Sequence, residues 1–178
     1  AASDVYKRQC HIIPKTFEEI NEVIKNVPNL LKYVKPSDEH LKNKLTDLQY
    51  NITQNAHTEK PFTGEYWNFF EKGIYVDITT GEPLFSSLDK YESGCGWPSF
   101  TAPISEKNVI FKEDKSYGMD RTEVKSKSGD AHLGHIFYGD FESPNGTRYC
   151  INSASLKFIP YDEMEELSLI HISEPTRH

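Results

Sequence analysis

The sequence predicts an α+β domain whose sheets are mainly antiparallel. Helical periodicity is confined to the first part of the 178-residue chain. From Gly73 onward, short runs rich in β-branched and aromatic residues alternate with Gly, Pro, Asp and Ser, which is typical of strands joined by turns. Because the helices precede the strands instead of alternating with them, the pattern indicates α+β organisation.

Two N-terminal helices are predicted. The first covers residues 16–34, where Thr16 and Glu19 match a capping box. Its apolar residues recur at helical spacing: Phe17, Ile20, Val23 and Ile24. Pro28 is expected to end or bend it. After the linker signal Lys-Pro-Ser-Asp, a second helix begins at Ser37 and carries Leu41, Leu45 and Leu48.

Five strands are predicted from runs of strand-forming residues between turn signals. They cover residues 73–78, 109–112, 118–124, 135–138 and 148–159.

The last of these strands carries the first candidate for chemistry, Cys150. Strand side chains alternate between faces, so Cys150 and Asn152 are expected to share a face with Ala154, Leu156 and Phe158. A thiol beside a hydrogen-bonding amide on an apolar face is a candidate nucleophile, and Arg148 is placed to lower its pKa. The alternative is a small buried cysteine that only packs in the sheet.

Two further segments supply what a reactive thiol needs. Cys95 lies between two glycines in Ser-Gly-Cys-Gly-Trp-Pro-Ser-Phe, which predicts a mobile loop. His132 and His135 are three apart, so they would face opposite sides of a regular strand. A bulge at Gly134 would bring both to one site. The alternatives are a metal-ligating role for the histidines and an ordinary core position for Trp97.

Four phrases, TEKPFTGEYW, GCGWPSF, RTEVKSKSGDAHLGHIF and RYCINSASLKF, together resemble the B-type methionine sulfoxide reductases over residues 35–166. This family reduces the R epimer of methionine sulfoxide. The resemblance implies a fold of two small antiparallel sheets with N-terminal helices, described as β-tent-like.

The resemblance also implies a role for each site residue. Cys150 matches the nucleophile, which becomes a sulfenic acid, and Cys95 matches the thiol that then forms a Cys95–Cys150 disulfide. Trp97 matches the ring that holds the substrate's methyl group. The polar residues that match those arranging water and protons near the oxygen are His135, His132 and Asn152. Thioredoxin or another dithiol is implied as reductant, with no resident cofactor.

One form of this family holds zinc with two Cys-x-x-Cys pairs. This sequence has Asp77-Ile-Thr-Thr80 and Ser126-Lys-Ser-Gly129 at the corresponding places, so all four ligands are absent. It therefore resembles the zinc-free form, and no metal is expected. Three cysteines in total also argue against a disulfide framework.

Two rival functions are compatible with the same residue types. A Cys–His–Asn hydrolase could use Cys150, His135 and Asn152, but it has no use for Cys95 beside two glycines. A small-molecule binder on the same fold could use Trp97 as an aromatic wall. Turnover that depends on a dithiol separates the reductase from both.

Both termini are interpreted as artefacts. The codons for residues 4–9 can be chosen so that their reverse complement encodes residues 167–172, a relation that resembles read-through of sequencing adapters. Residues 1–9 and 167–178 are therefore set aside. Residues 10–36 are interpreted as a connector, and residues 37–166 as the reductase domain. Because Cys10-His-Ile resembles the end of an A-type reductase, the connector is expected to follow such a domain.

The charge balance restricts the partners. The chain has 20 basic and 27 acidic residues, and an acidic balance disfavours binding to a phosphate backbone. No run approaches the roughly 20 apolar residues of a membrane-spanning helix. The expected partners are methionine-R-sulfoxide, free or in proteins, and a thioredoxin-like reductant. A monomer is expected, with the cytoplasm as the default compartment.

Overall fold

The computed structural model of the chain describes residues 16–26 and 33–164. Within them, two antiparallel sheets pack against each other and three short helices precede them. This confirms the predicted fold class. The interpreted artefacts at 1–9 and 167–178, Cys10 and Pro28 lie outside the described residues.

The helices are shorter than the sequence predicts. They are α1 (Phe17–Asn26), α2 (Asp38–Lys44) and α3 (Asp47–Asn55). Residues 33 and 34 are not helical, so the predicted end of the first helix is wrong. The predicted second helix is two helices, because Thr46 and Gln49 form a capping box that starts α3. Leu41 and Leu45 are buried as expected, whereas Leu48 is exposed.

The sheets are built from nine strands: β1 (Gly73–Asp77), β2 (Pro83–Ser86), β3 (Lys90–Tyr91), β4 (Ser99–Phe100), β5 (Val109–Asp114), β6 (Arg121–Ser126), β7 (His132–Tyr138), β8 (Thr147–Ile151) and β9 (Leu156–Pro160). The smaller sheet has the order β2-β1-β9, and the larger has the order β3-β4-β8-β7-β6-β5. Short 3-10 helices lie at Ser87–Asp89, Glu106–Asn108, Ser116–Gly118, Ser153–Ser155 and Tyr161–Glu163.

The predicted strand over 148–159 is wrong as a single element. It ends at Ile151, turns through the 3-10 helix Ser153–Ser155, and resumes as β9 in the other sheet. Asn152 makes this break, and Cys150 and Asn152 are therefore not neighbours on one strand face. The strand predicted over 118–124 begins only at Arg121, because Tyr117 and Gly118 adopt positive φ in the preceding turn.

The main core lies between the two sheets. Its buried side chains come from both: Tyr75, Leu84, Phe85, Phe100, Val109, Val124, Leu133, Ile136, Tyr149, Ile151 and Leu156. A second cluster packs Phe17 of α1 against Ile74, Val76, Ile104, Ile159 and Met164. None of the helices in the described ranges is both long and apolar enough to span a bilayer.

Candidate active site

A row of polar side chains crosses the larger sheet. Ser99 of β4 lies opposite Cys150 of β8, Cys150 lies opposite His135 of β7, and His135 lies opposite Glu123 of β6. Directly paired residues on neighbouring antiparallel strands share a face. The sheet therefore holds a thiol, an imidazole and a carboxylate side by side on one surface.

The predicted bulge is present in β7. Val124 pairs with Gly134, but the next residue, Lys125, pairs with His132, so Leu133 is the extra residue. This places the His132 and His135 rings 5.5 Å apart, centroid to centroid. A Cβ on Gly134 would lie 1.9 Å from the carbonyl oxygen of Cys150. Glycine is therefore required for β7 to approach the cysteine's own backbone this closely.

Asn152 compensates for the bulge. The carbonyl of Leu133 accepts from the Asn152 backbone N–H at 2.8 Å and from its side-chain Nδ2 at 3.0 Å. Asn152 Oδ1 in turn accepts from the backbone N–H of Glu59 at 3.0 Å. Since both the nitrogen and the oxygen of its side-chain amide bond backbone groups, Asn152 ends β8 and positions its neighbours.

Cys95 lies on a loop that the surrounding chain clamps. Gly94 and Gly96 have φ of +73° and +92°, a conformation that glycine adopts readily. The backbone N–H of Phe62 donates to Gly96 O at 2.8 Å. Phe62 itself has a φ of 64°, which is unusual for a non-glycine residue. The turn at residue 62 thus fixes the loop beside Cys150.

The sulfur atoms of Cys95 and Cys150 are 3.8 Å apart. A hydrogen bond from Cys150, with others from Ser93 and Ser99, lowers the pKa of Cys95 to about 4. The hydrogen bond to Cys95 raises the pKa of Cys150, and burial adds to this, while the charge of Arg148 acts weakly the other way. These hydrogen bonds make Cys95 the more acidic thiol of the pair.

Two carboxylates hold the two histidines. His135 Nε2 lies 2.7 Å from Asp114 Oδ2, and His132 Nδ1 hydrogen-bonds to Glu123. Hydrogen bonds from Ser116 and His135 keep the pKa of Asp114 far below its usual range, so Asp114 stays ionised. Burial lowers the pKa of His132, against the opposing effect of Glu123.

Trp97 and the buried carboxylate of Glu59 also belong to this site. Trp97 is half-buried, lies outside both core clusters, and donates its indole N–H to Glu59 O at 3.0 Å. The Glu59 side chain accepts from the backbone N–H of Ala154 at 2.9 Å. Burial raises the pKa of Glu59. Glu59 therefore ties Trp97, Asn152 and the 3-10 helix after β8 into one unit.

These side chains line a cleft of about 120 Å³. Its walls are Thr58, Cys95, Trp97, Arg121, Gly134, His135, Phe137, Arg148, Cys150 and Asn152. Small-molecule sites usually span about 300–1,000 Å³, so this cleft suits the end of one side chain better than a whole large ligand.

The two loops that correspond to the Cys-x-x-Cys pairs of the zinc-binding form are held by hydrogen bonds between oxygen-bearing side chains. Asp77 Oδ1 accepts from the N–H and the hydroxyl of Thr79 at 2.8 and 2.6 Å. The hydroxyls of Thr80 and Ser128 lie 3.0 Å apart, which bridges the two loops. Zinc sites of this structural type need thiolate or imidazole ligands, and these residues do not fit zinc. Within the described ranges, no group of three His, Cys, Asp or Glu residues is arranged to hold a metal.

The structure gathers the sequence-predicted residues at one place. Cys150, Cys95, His135, Asn152 and Trp97 line the cleft, and His132 packs behind His135.

The sequence analysis did not identify eight other residues of the site: Thr58, Glu59, Ser93, Ser99, Asp114, Arg121, Glu123 and Phe137. Ser93 and Ser99 recur at intervals of two with Cys95 and Trp97, and that spacing was a usable signal. No spacing in the sequence connects Asp114 to a histidine 21 residues away.

A comparison with protein families agrees with this geometry. The family model described as SelR domain matches residues 45–160, more than half of the chain. The matched segment contains every residue that lines the cleft, together with all nine strands.

Proposed function

The chain belongs to the SelR domain family, the B-type domain of methionine-R-sulfoxide reductases, and from this premise we propose a Cys150-based reductase with Cys95 as its second thiol. The observation that carries the proposal is the pair of sulfur atoms 3.8 Å apart in a cleft. One thiol can react with a bound side chain, and the other is close enough to react with the oxidised sulfur that results.

In the first step, Cys150 sulfur attacks the electrophilic sulfur of the sulfoxide. The oxygen passes to Cys150 with the thiol's proton, which gives a Cys150 sulfenic acid and methionine. Two electrons move from Cys150 sulfur to the substrate sulfur, so the step needs no other reductant. Cys150 is the better candidate because it lies on a central strand opposite His135, whereas the Cys95 sulfur is turned toward serine hydroxyls.

His135 supplies the acid for the sulfoxide oxygen in this mechanism. Its Nε2 is engaged with Asp114, so Nδ1 is the nitrogen left to face the substrate. Nδ1 can pass a proton to the oxygen as the S–O bond of the sulfoxide breaks, and it takes up the Cys150 thiol's proton in return, so the net transfer is that of the thiol's proton. His132 and Glu123 sit behind this pair and hold its orientation.

Trp97 provides the apolar wall for the substrate's methyl group. Sulfur and methyl groups pack favourably against aromatic rings, and the indole is fixed by its hydrogen bond to Glu59 O. The small volume of the cleft favours a methionine sulfoxide side chain, presented either by the free amino acid or by a peptide.

In the second step, Cys95 attacks the sulfenic sulfur and expels hydroxide, which leaves as water after protonation. A dithiol protein such as thioredoxin then opens the Cys95–Cys150 disulfide by exchange.

The test is turnover of N-acetyl-methionine sulfoxide, with the R and S epimers supplied separately, in the presence of dithiothreitol. Consumption of R alone, with methionine formed in equal amount, supports the proposal. No reaction of either epimer would overturn the proposal. Ester hydrolysis without oxidised cysteine would favour the Cys–His–Asn hydrolase instead.

A further inference from the structure

Cys95 is surrounded by serine hydroxyls. Ser93 Oγ donates to Cys95 Sγ at 2.9 Å, and Ser99 Oγ lies 3.4 Å from the same sulfur. The two hydroxyls lie 2.7 Å from each other. Ser99 is buried, with 1% of its surface exposed, so water does not supply its hydrogen bonds.

This arrangement suits a thiolate better than a thiol. A neutral thiol is a weak acceptor, whereas hydrogen bonds to an ionised acceptor are roughly twice as strong as neutral ones. Ser93 donates to the sulfur, and the Ser99 hydroxyl, which can also donate to Trp97 O at 3.2 Å, lies within reach of the same sulfur. Both hydroxyls can therefore stabilise its anionic form.

We propose that Ser93 and Ser99 form a hydroxyl clamp, which holds Cys95 as a thiolate aimed at Cys150 and so drives disulfide formation. The proposal rests on the function proposed above. In the step concerned, the Cys95 thiolate supplies an electron pair to the Cys150 sulfenic sulfur. The new S–S bond forms as the S–O bond breaks, and the oxygen leaves as hydroxide. Ser93 and Ser99 are positioning residues, since they act only through Cys95.

The electrostatics of the cleft agree. Hydrogen bonds from Cys150, Ser93 and Ser99 lower the pKa of Cys95 to about 4, although burial opposes them. The other titratable or charged groups lining the cleft are His135, Arg121 and Arg148, and Glu59 lies behind Trp97. None of these groups changes when a serine is replaced.

The clamp also fits the fold. Ser99 lies opposite Cys150 in the β4–β8 ladder, so one buried hydroxyl is fixed by the same strand pairing that fixes Cys150. Ser93 precedes the two glycines of the loop and meets Ser99 across it. The sulfur is thereby held from both sides.

The experiment is a rapid-quench single turnover with the variants Ser93→Ala, Ser99→Ala and the double variant. Reduced enzyme is mixed with one equivalent of R-methionine sulfoxide at pH values between 5 and 8. Methionine formation reports the first step, and mass spectrometry of alkylated protein reports the Cys95–Cys150 disulfide. Ser105→Ala, which removes a helix-capping hydroxyl elsewhere, is the matched control.

Each lost hydrogen bond is expected to raise the pKa of Cys95, so the thiolate fraction falls most at low pH. At pH 5 disulfide formation in the double variant should be about tenfold slower than in wild type. At pH 8 the rates converge to within about twofold. Ser93→Thr, which keeps a hydroxyl, should restore the wild-type pH profile, and Ser105→Ala should match wild type throughout.

The two proposals fail in different ways. Absence of methionine in wild type would overturn the proposed function itself. Methionine formation at the normal rate, with disulfide formation in the double variant equal to wild type at pH 5, would overturn the hydroxyl clamp alone. Disulfide formation that is slowed equally at all pH values and is not rescued by Ser93→Thr would also overturn it. That result would show that the substitutions misplace Cys95 without changing its ionisation.

Discussion

Gly134→Ala is the substitution that most directly perturbs the placement of Cys150. Gly134 pairs with Ile151 in the β7–β8 ladder, beside the bulge that brings the two histidines together. Its φ lies outside the left-handed region that favours glycine, so the need for glycine is one of space alone. A methyl group there meets the Cys150 carbonyl oxygen at 1.9 Å and Ile151 Cα at 3.0 Å.

The size of the effect follows from these contacts. Ordinary van der Waals contact begins at 3.4 Å, and the obstructing atoms are backbone, which cannot rotate away. The strands must separate, so we expect the free energy of unfolding to fall by about 3 kcal/mol. A displacement of about 1 Å at Cys150 should also slow methionine formation by about 100-fold. Urea denaturation and single-turnover kinetics measure the two effects.

Gly139→Ala is the control. Gly139 follows the same strand, and a Cβ there meets no atom within 4 Å, but its φ is +78°. The added methyl group should therefore cost only about 1–2 kcal/mol, through backbone strain, and leave the first step unchanged. If Gly134→Ala matched Gly139→Ala in both stability and rate, the inference that β7 must approach the Cys150 backbone closely would be wrong.

Three further predictions concern the surroundings of the cleft. Because Asp77, Thr80, Ser126 and Gly129 provide no zinc ligand set, chelator should leave the melting temperature unchanged; stoichiometric zinc lost on unfolding would contradict this. Burial lowers the pKa of His132, so this imidazole binds a proton more readily in the unfolded chain than in the folded chain. The free energy of unfolding should then fall as the pH drops below about 6.5, and His132→Gln should flatten this slope in denaturant titrations between pH 7.5 and 5.5. Asn152→Ala leaves the Glu59 N–H without its acceptor and the Leu133 carbonyl with one donor fewer, which should lower the free energy of unfolding by about 2 kcal/mol; an unchanged value would show that these bonds are not structural.

The fold class could be predicted because its signals are local. Turn residues and strand-forming runs alternate after Gly73, and six of the nine strands in the described ranges overlap the five predicted ranges. The strands β2, β3 and β4 were missed because they are only two to four residues long. They are stabilised by pairing with distant partners, and short runs carry little periodicity.

The error at Asn152 has a different cause. Period-two alternation runs through residues 148–158, but the bulge in β7 leaves the Leu133 carbonyl to be satisfied from outside the ladder. Asn152 satisfies it and ends β8, so a tertiary hydrogen bond overrides the local pattern. The bulge itself was predictable, since a glycine between two histidines is a local signal.

The partners of the histidines could not be predicted. Asp114 and Glu123 reach His135 and His132 only through the register of β5, β6 and β7. Register depends on long-range packing, so acidic residues at many other positions were equally plausible beforehand. The pairing of two cysteines 55 residues apart came from resemblance, not from spacing.

The central claim is that Cys150 is the nucleophile and that Cys95 is the second thiol, which forms the disulfide. The hydrogen bonds around Cys95 make it the more acidic thiol, yet Cys150 is proposed as the nucleophile. Acidity favours the thiolate form but reduces intrinsic nucleophilicity, so the greater acidity of Cys95 does not make it the nucleophile. Position in the cleft assigns the first step to Cys150, because Cys150 lies opposite His135 on a central strand.

The most direct test is rapid-quench measurement of methionine formed per enzyme, by Cys150→Ser and Cys95→Ser, without external reductant. Cys150→Ser should form none, because a hydroxyl oxygen is a far weaker nucleophile than sulfur and cannot take the place of the sulfenic acid. Cys95→Ser should form one equivalent at the wild-type rate and accumulate a Cys150 sulfenic acid, detected by dimedone labelling, while thioredoxin-dependent turnover is lost. One equivalent from Cys150→Ser and none from Cys95→Ser would reverse the assignment and contradict the account.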